Sequence, residues 1–336
     1  MLAHLYDLAD ELNRVAPWFW MTEDQCLGLR HPASGELAYM SLMGAFGGHH
    51  CLALYLGEEA FRRYSLMQSE DPSNRLLPES DAVALLLETR HLQVAFESRS
   101  QLARHELATI KQLGRNYRGD IWPAMRSFRP GYAPGPLDAA EILWLCHAIA
   151  QLLVVAPSLE ADSCANFRLH PASDISDTLT RECIDGVWQN TWTPFDVLPF
   201  EFPTPTGNPA MIAKIAAHQR LTDVECLFQL MPSPVGSKPS AMIFPYLVIS
   251  ADVATGLIIG IELLSVEKQS HRALINSVPN VFMRQWDKAG IRPASLRVST
   301  ITAYSLLECT ADVLNTPLRR HARLPAIARL LKELPF

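Results

Sequence analysis

A stretch near the middle of the chain, WPAMRSFRPGYAPGPLDAAE (122–141), combines cationic and aromatic side chains in a pattern that could bind an anion. Between residues 99 and 129 the chain has seven Arg or Lys residues and only two acidic ones. Arginine pairs with phosphate or carboxylate groups, and aromatic rings stack on nucleic-acid bases. The candidate binding residues are Trp122, Arg126, Arg129 and Tyr132.

The same stretch has a structural interpretation, as a stiff corner in front of a helix. Four prolines between positions 123 and 136 restrict its backbone. In that role Trp122 anchors the corner in the core, while Arg126 or Arg129 caps helix carbonyls or pairs with acidic helices. The sequence favours the corner as the first interpretation and the binding surface as the second.

Signatures of common enzymes are absent from the sequence. It contains no G-x-G-x-x-G, G-x-x-x-x-G-K-[ST], G-x-S-x-G or H-E-x-x-H motif. In GGHHC, His49 and His50 would point to opposite faces of a strand and could not hold one ion together. The seven cysteines include no C-x-x-C pair and are typical of reduced thiols. We therefore expect no catalytic residue, no metal and no cofactor.

The composition is that of a soluble globular protein. Its 336 residues, 49% hydrophobic and 19% charged, are enough for two domains. The net charge is −6, yet residues 241–336 carry 11 Lys or Arg against 7 Asp or Glu and could meet an anionic partner. The opening helix lacks the cationic start of a signal peptide, and we expect no apolar segment of the ~20 residues that span a bilayer. These features predict a cytoplasmic protein without membrane association.

Hydrophobic periodicity predicts an α+β domain over residues 1–156. Apolar runs separated by Pro-Ala-Ser-Gly and Gly-Gly predict a three-stranded antiparallel meander near the start. Asp138 and Glu141 form a D-x-x-E capping box in front of an apolar helix, which we expect at the centre of this domain.

The polar, non-periodic residues 157–180 predict a connection to a second domain at 181–336. Residues 192–209 contain five prolines and are typical of a segment that wraps across a surface. The rest of the second domain predicts a mixed sheet with the element order βββαβα(β)α. The short connection at 253–256 predicts a tight turn, for which Asp252 is a suitable first residue.

This order, with YLVISADVATGLIIGIEL followed by a helix and then PASLRVS, resembles the core of ribonuclease-H-like domains, including transposase and integrase cores. The resemblance implies carboxylates on the first and fourth strands that hold divalent metals against a phosphodiester. Asp223, Glu225 and Asp252 could supply carboxylates, but Ser299 and Thr300 stand where the fourth strand needs an acid. The resemblance therefore implies a ribonuclease-H-like sheet without its carboxylate set, and the alternative function is a metal-dependent phosphodiesterase or nuclease.

A second resemblance rests on W-P-A-M-R-S-F-R-P-G-Y before the helix E-I-L-W-L-C-H-A-I, with P-Y-L-V-I-S-A-D-x-x-T-G farther along the chain. This pair is similar to the two modules of an uncharacterised group of bacterial proteins. It implies a two-module protein with no assigned catalytic residue or cofactor. Taken with the missing enzyme motifs, it favours a non-enzymatic binding or adaptor protein for an anionic partner or a nucleic acid.

Overall fold

The computed structural model of the chain describes residues 1–23, 25–45, 47–68, 79–162, 167–169, 176–195 and 200–333. The chain forms two compact units. The first comprises Met1–Arg75, Leu85–Pro130 and Pro134–Phe200, and the second comprises Leu76–Ala84, Gly131–Ala133 and Glu201–Phe336. Each unit combines helices with a mixed sheet, which confirms the predicted α+β class and the presence of two domains.

The first unit is built on a mixed sheet. Its described strands are β1 (Leu27–Arg30), β2 (Leu37–Met43), β3 (His50–Leu56), β4 (His91–Glu97), β5 (Trp122–Phe128), β6 (Phe167–Leu169), β7 (Ser176–Ile184) and β8 (Val187–Phe195). The strand order is β5-β4-β3-β2-β1-β7-β6, and β8 pairs with β7. Antiparallel pairing of β1 with β2 and of β2 with β3 confirms the predicted meander.

Helices lie on both faces of this sheet because its strands are apolar on both sides. The described helices of this part of the chain are α1 (Leu2–Val15), α2 (Gly57–Gln68), α3 (Glu79–Leu87), α4 (Arg104–Gln112) and α5 (Ala139–Ala161). The largest core cluster joins the sheet to α1 and α5 through residues such as Leu5, Leu29 and Leu152. A smaller cluster on the other face packs Tyr39 and Tyr55 against α2.

Helix α5 begins at the capping box that the sequence predicts. The Asp138 carboxylate accepts from the Glu141 amide at 2.9 Å, and the Glu141 carboxylate accepts from the Asp138 amide at 2.9 Å. With 23 residues α5 is long and apolar enough to cross a membrane, which corrects the expectation that no segment reaches that length. However, 56% of its most apolar window is buried inside the protein, and core helices pass the same test.

Residues 122–128 form the edge strand β5, which corrects the prediction of an irregular corner over this part of the stretch. Pro123 lacks a backbone N–H, and such a residue is tolerated in an edge strand because only one side of the strand must be paired. Seven consecutive pairs, from His91 with Phe128 to Glu97 with Trp122, align β5 with β4.

The hairpin β7–β8 belongs to the first sheet, so the first unit extends to Phe200 instead of ending at the expected connection. Strand β7 pairs in parallel with β1, where Gly28 lies opposite Thr180 and Leu29 opposite Arg181. Parts of the expected connection and wrapping segment (163–166, 170–175 and 196–199) lie outside the described residues.

The close approach of β1 and β7 requires a glycine at position 28. A Cβ added there would lie 2.2 Å from Oγ1 of Thr180, which is fully buried and donates to Thr193 Oγ1 at 2.8 Å. We expect Gly28→Ala to lower the free energy of unfolding by about 1–3 kcal/mol in urea denaturation, since overpacking displaces a held neighbour. In a Thr180→Ala background the same substitution should cost clearly less; an equal cost would contradict this explanation.

The described elements of the second unit are α6 (Pro209–Ala216), β9 (Arg220–Leu230), β10 (Tyr246–Asp252), β11 (Ile258–Leu264), α7 (His271–Lys288), β12 (Ile291–Val298), α8 (Ile301–Val313), β13 (Leu318–Arg320) and α9 (Pro325–Glu333). This confirms the predicted element order; α7 continues through Pro279 without interruption. The sheet has the strand order β11-β10-β9-β12-β13. Strand β10 is antiparallel to β9 and to β11, whereas β12 is parallel to β9 and to β13.

Each face of the second sheet has its own core. Helices α6, α7 and α8 cover one face, where Val224 and Val248 contact Phe282 and its neighbours. Helix α9 covers the other face, where Leu227 and Ile249 contact Ile327. The alternation of side chains along β9 and β10 therefore decides to which face each candidate acidic residue points.

Candidate functional site

The three candidate carboxylates of the second unit lie on opposite faces of its sheet. Asp252 is opposite Val224 in the β10–β9 pair and shares the face covered by α7 and α8. Glu225 is opposite Ala251 and faces α9, and Asp223, two positions earlier on the same strand, points to the same side. Asp252 is therefore separated by the sheet from the two acids with which it would have to share metal ions.

Asp223 and Glu225 are each held by a different part of the protein. Asp223 accepts from Ser295 Oγ at 2.7 Å and from the Arg297 guanidinium at 3.4 Å. Glu225 is buried, and its carboxylate accepts from the Ile327 amide at 3.0 Å, in the first turn of α9. A carboxylate at a helix N-terminus stabilises the helix. These contacts give both residues structural roles.

Asp252 shapes the turn between β10 and β11. Its carboxylate accepts from the Thr255 amide at 2.9 Å and from Thr222 Oγ1 at 2.7 Å. The hydrogen bond from the Thr255 amide is the main reason why the pKa of Asp252 is lowered, and the Thr222 hydroxyl adds to it. Gly256 follows with a φ of 72°, as a tight turn requires.

The end of β12, where the ribonuclease-H resemblance requires an acid, is occupied by a helix cap. Thr300 Oγ1 accepts from the Ala303 amide at 3.1 Å and starts α8. Within the described part of the chain, no group of three His, Cys, Asp or Glu side chains is arranged to hold a metal ion. The acids of the second unit thus stabilise turns, strand pairs and helix starts.

Arg126 in the first unit is the centre of an ion-pair network. Its guanidinium donates to the Glu97 carboxylate at 2.7 and 2.9 Å and to the Glu106 carboxylate at 2.9 and 3.2 Å. Glu106 also accepts from the Ala103 amide at the start of α4. Burial acts to lower the pKa of Arg126, but the hydrogen bonds to the two carboxylates outweigh it and the pKa is raised. The Arg126 guanidinium therefore pairs with carboxylates of the protein itself.

Of the other candidate binding residues, Trp122 and Tyr132 each pack against a hydrophobic core cluster of their own unit. Trp122 is 8% exposed, packs edge-on against Tyr117 with centroids 5.7 Å apart, and lies 5.8 Å from the Arg99 guanidinium carbon. Arg129 belongs to the first unit, whereas Tyr132 belongs to the second, where it forms a bridge with Ile243 and packs against the core. The buried position of Trp122 and the ion pairs of Arg126 match the structural interpretation of this stretch, in which Trp122 anchors it in the core and Arg126 pairs with acidic side chains.

A cluster of cations lies instead along the outermost strand of the second sheet, and we name it the basic edge. It consists of Arg319, Arg320, His321 and Arg323. The three arginines are exposed, and among the described residues none has a carboxylate within ion-pair distance. Other arginines of the unit do have one, such as Arg284 with Glu262 at 3.0 Å. The sequence prediction recognised the strand in TPLRRH but did not treat its charge as a site, although the excess of cations after residue 241 was a signal for it.

A surface groove of about 350 Å³ lies between α8 and β13 and ends at Leu318, the residue before the basic edge. Its lining includes Tyr304, Asn315 and two carboxylates, Glu308 and Asp312. Because these carboxylates repel anions, an anionic partner would contact the outer side of β13 and the segment that follows it, not this groove.

Comparison with known families gives two matches in tandem. A family model described as a domain of unknown function (DUF7309) matches residues 3–177, and a second, also a domain of unknown function (DUF6930), matches residues 211–335. This confirms the two-module organisation that the sequence predicts. No curated protein matches the chain.

Proposed function

The chain belongs to the family described as domain of unknown function DUF7309, and from this premise we propose that it is a non-enzymatic binding protein whose second unit contacts an anionic partner along the basic edge. The observation that carries the proposal is the set of three exposed arginines within five residues, Arg319 to Arg323, with no carboxylate partner in the described chain. Like charges placed so close together repel one another, and an anion relieves that repulsion.

We further propose that the second unit is a ribonuclease-H-like sheet that serves as a scaffold. Its strand order, with the central strand first in sequence and one antiparallel neighbour, supports this assignment. The separation of Asp252 from Asp223 and Glu225 by the sheet favours a scaffold over a metal-dependent phosphodiesterase, because the two metal ions of such a site are only about 4 Å apart and their carboxylates must converge on one face.

The favoured partner is single-stranded nucleic acid. Arg319 and Arg320 occupy neighbouring positions of a strand, so their side chains point to opposite sides of the sheet edge. A linear polyanion that follows the edge can meet both of them and then Arg323, with phosphates along its whole length. A compact anion would be held by one of these side chains only.

Fluorescence anisotropy with a labelled single-stranded oligonucleotide tests this proposal. The triple variant Arg319→Gln, Arg320→Gln, Arg323→Gln should bind more weakly than the wild type. The slope of log K against log salt should become less negative by about 2, since each lost phosphate contact removes about 0.7 from its magnitude.

A control variant with the same change in charge shows whether binding depends on the basic edge or only on the net charge of the protein. The variant Arg14→Gln, Lys214→Gln, Arg284→Gln also removes three exposed cations, but each of these has an acidic partner. Its binding should equal that of the wild type. Equal losses in both variants, or no binding by the wild type at low salt, would refute the proposal. Stronger binding of polyglutamate than of the oligonucleotide would point to an acidic protein as the partner.

A further inference from the structure

Arg181, on β7 of the first unit, is a buried cation whose partners are neutral. Its residue is 7% exposed. Nε and Nη2 donate to Gln151 Oε1 at 3.0 and 2.9 Å, and Nη1 donates to Asn190 Oδ1. Among the described residues no carboxylate lies within ion-pair distance of it. Burial alone lowers its pKa, without an opposing charge that would raise it.

A guanidinium in this setting is incompletely satisfied. Arginine has five N–H groups, and the contacts with Gln151 and Asn190 use three of them. Among the described residues, one N–H on Nη1 and one on Nη2 have no acceptor, and two such groups on one guanidinium can donate to the two oxygens of a carboxylate or phosphate. Buried charges are rare in proteins unless they are paired. A bound anion would supply the negative charge that the Arg181 guanidinium needs as a partner.

The surroundings of Arg181 form a seam between α5 and the β7–β8 hairpin. Gln151 and His147 are one turn apart on α5, and Asn190 and Trp188 are two residues apart on one face of β8. The His147 and Trp188 rings are 5.5 Å apart. The seam therefore has two layers of side chains: Gln151 and Asn190 contact Arg181, and His147 and Trp188 form an aromatic layer beside them. The two layers are about 6 Å apart, because four residues of a helix or two residues of a strand span that length.

The aromatic layer extends to the surface of the unit. His31 lies 4.5 Å from the Trp144 ring and 6.0 Å from the His147 ring, measured between centroids. His147, His31 and Trp188 are half-buried, and Asn190 is exposed. A ligand that reaches Arg181 past Asn190 would therefore have flat, partly apolar rings beside it.

We propose that this seam is a binding site for a small ligand with an oxyanion head group, carboxylate or phosphate, joined to a flat ring. The head group accepts from the two remaining N–H groups of Arg181, and the ring packs against Trp188 and His147. The inference goes beyond the proposed function, because the seam belongs to the first unit and shares no residue with the basic edge. A clamp that only ties the β7–β8 hairpin to α5 would bind no ligand.

Isothermal titration calorimetry with sodium benzoate, sodium acetate and inorganic phosphate, each in a chloride background, tests the site. Benzoate should bind in a saturable manner and more tightly than acetate, because only benzoate has a ring for the aromatic layer. Phosphate tests whether the head group alone is sufficient. Arg181→Met should weaken benzoate binding at least about tenfold, the effect of losing a charge-assisted pair of hydrogen bonds.

Two further variants keep the test decisive if Arg181→Met fails to fold. Trp188→Ala leaves the guanidinium in place and should abolish the preference for benzoate over acetate. Arg30→Met removes a cation from the adjacent strand β1, where it pairs with Glu182 at 3.2 Å, and should leave binding unchanged. The triple variant Arg319→Gln, Arg320→Gln, Arg323→Gln should also bind benzoate like the wild type. The benzoate site and the basic edge are therefore tested independently of each other. No saturable binding of any of the three anions, or binding that Trp188→Ala and Arg181→Met leave unchanged, would overturn the inference.

Discussion

Replacement of Arg126 by Met should lower the free energy of unfolding by about 3 kcal/mol, because it leaves two buried carboxylates without a counter-charge. The side chains of Glu97 and Glu106 are 7% and 5% exposed, and that of Arg126 is 22% exposed. Four hydrogen bonds join the guanidinium to them, and Met fills a similar volume without replacing any. Urea denaturation at pH 7 measures the loss.

Two controls identify the cause of this loss. Arg14→Met removes an exposed arginine that pairs with Glu11 and should leave the stability unchanged within error. Adding Glu97→Gln and Glu106→Gln to Arg126→Met removes the uncompensated charges and should recover most of the loss. If the triple variant is as unstable as Arg126→Met alone, the penalty comes from packing and not from buried charge.

The second unit could be predicted from sequence because its signals are local. Apolar alternation in YLVISAD and GLIIGIELL, the short connection between them and the helical period after residue 271 each lie within one element or its neighbour. The mixed sheet then follows from the order of elements. The same alternation places Asp223 and Glu225 on one face, but only the register of β10 against β9 shows that Asp252 lies on the other.

The first unit was harder to predict because its boundary depends on contacts between distant residues. Thr178 Oγ1 donates to the carbonyl of Cys26 at 2.9 Å, across 152 positions of sequence. The β7–β8 hairpin has polar residues on its exposed face, so it resembles a polar connection until β1 is known to be its neighbour. Strand β5 was missed because proline normally argues against a strand, and only an edge position removes that objection.

The candidate sites also differ in whether their signals are local in the sequence or depend on contacts between distant residues. The cations of the basic edge are adjacent in the sequence and could have been found by counting charge along β13 and the residues after it. Nothing local distinguishes Arg181 from other arginines. It is distinguished by having no carboxylate among the described residues within ion-pair distance and by the amides of Gln151 and Asn190, which the fold brings to it. The same reasoning applies to Arg126, whose partners are on β4 and α4.

His91 should make the protein sensitive to acid from about pH 6.5 downward, a loss that starts above the range in which carboxylates titrate. Its side chain is buried on β4, donates from Nδ1 to the Thr89 carbonyl at 2.9 Å and stacks on Phe128 with centroids 4.1 Å apart. Burial, the largest effect, lowers its pKa from 6.5 to about 4, and the charge of Arg90 acts in the same direction. The folded protein therefore holds this imidazole neutral at pH values where the unfolded chain takes up a proton.

The sign of the effect follows from the lowered pKa. The stabilisation is fully present above pH 6.5 and is lost as the pH falls from about 6.5 to about 4, because only the unfolded state gains the proton in that window. A shift from 6.5 to about 4 corresponds to about 3 kcal/mol of unfolding free energy. We expect the difference in stability between wild type and His91→Gln to decrease by about that amount between pH 7 and pH 4 in urea denaturation.

The substitution His91→Gln keeps an N–H that can reach the Thr89 carbonyl, so it removes the titration while it preserves much of the contact. His4→Gln, at an exposed position on α1, is the control for the loss of a histidine as such. A pH dependence in His91→Gln that equals the wild type's would show that this ring is protonated in the folded protein. In that case its stacking on Phe128 would have to tolerate a buried cation, and the packing at the β4–β5 edge would need a different explanation.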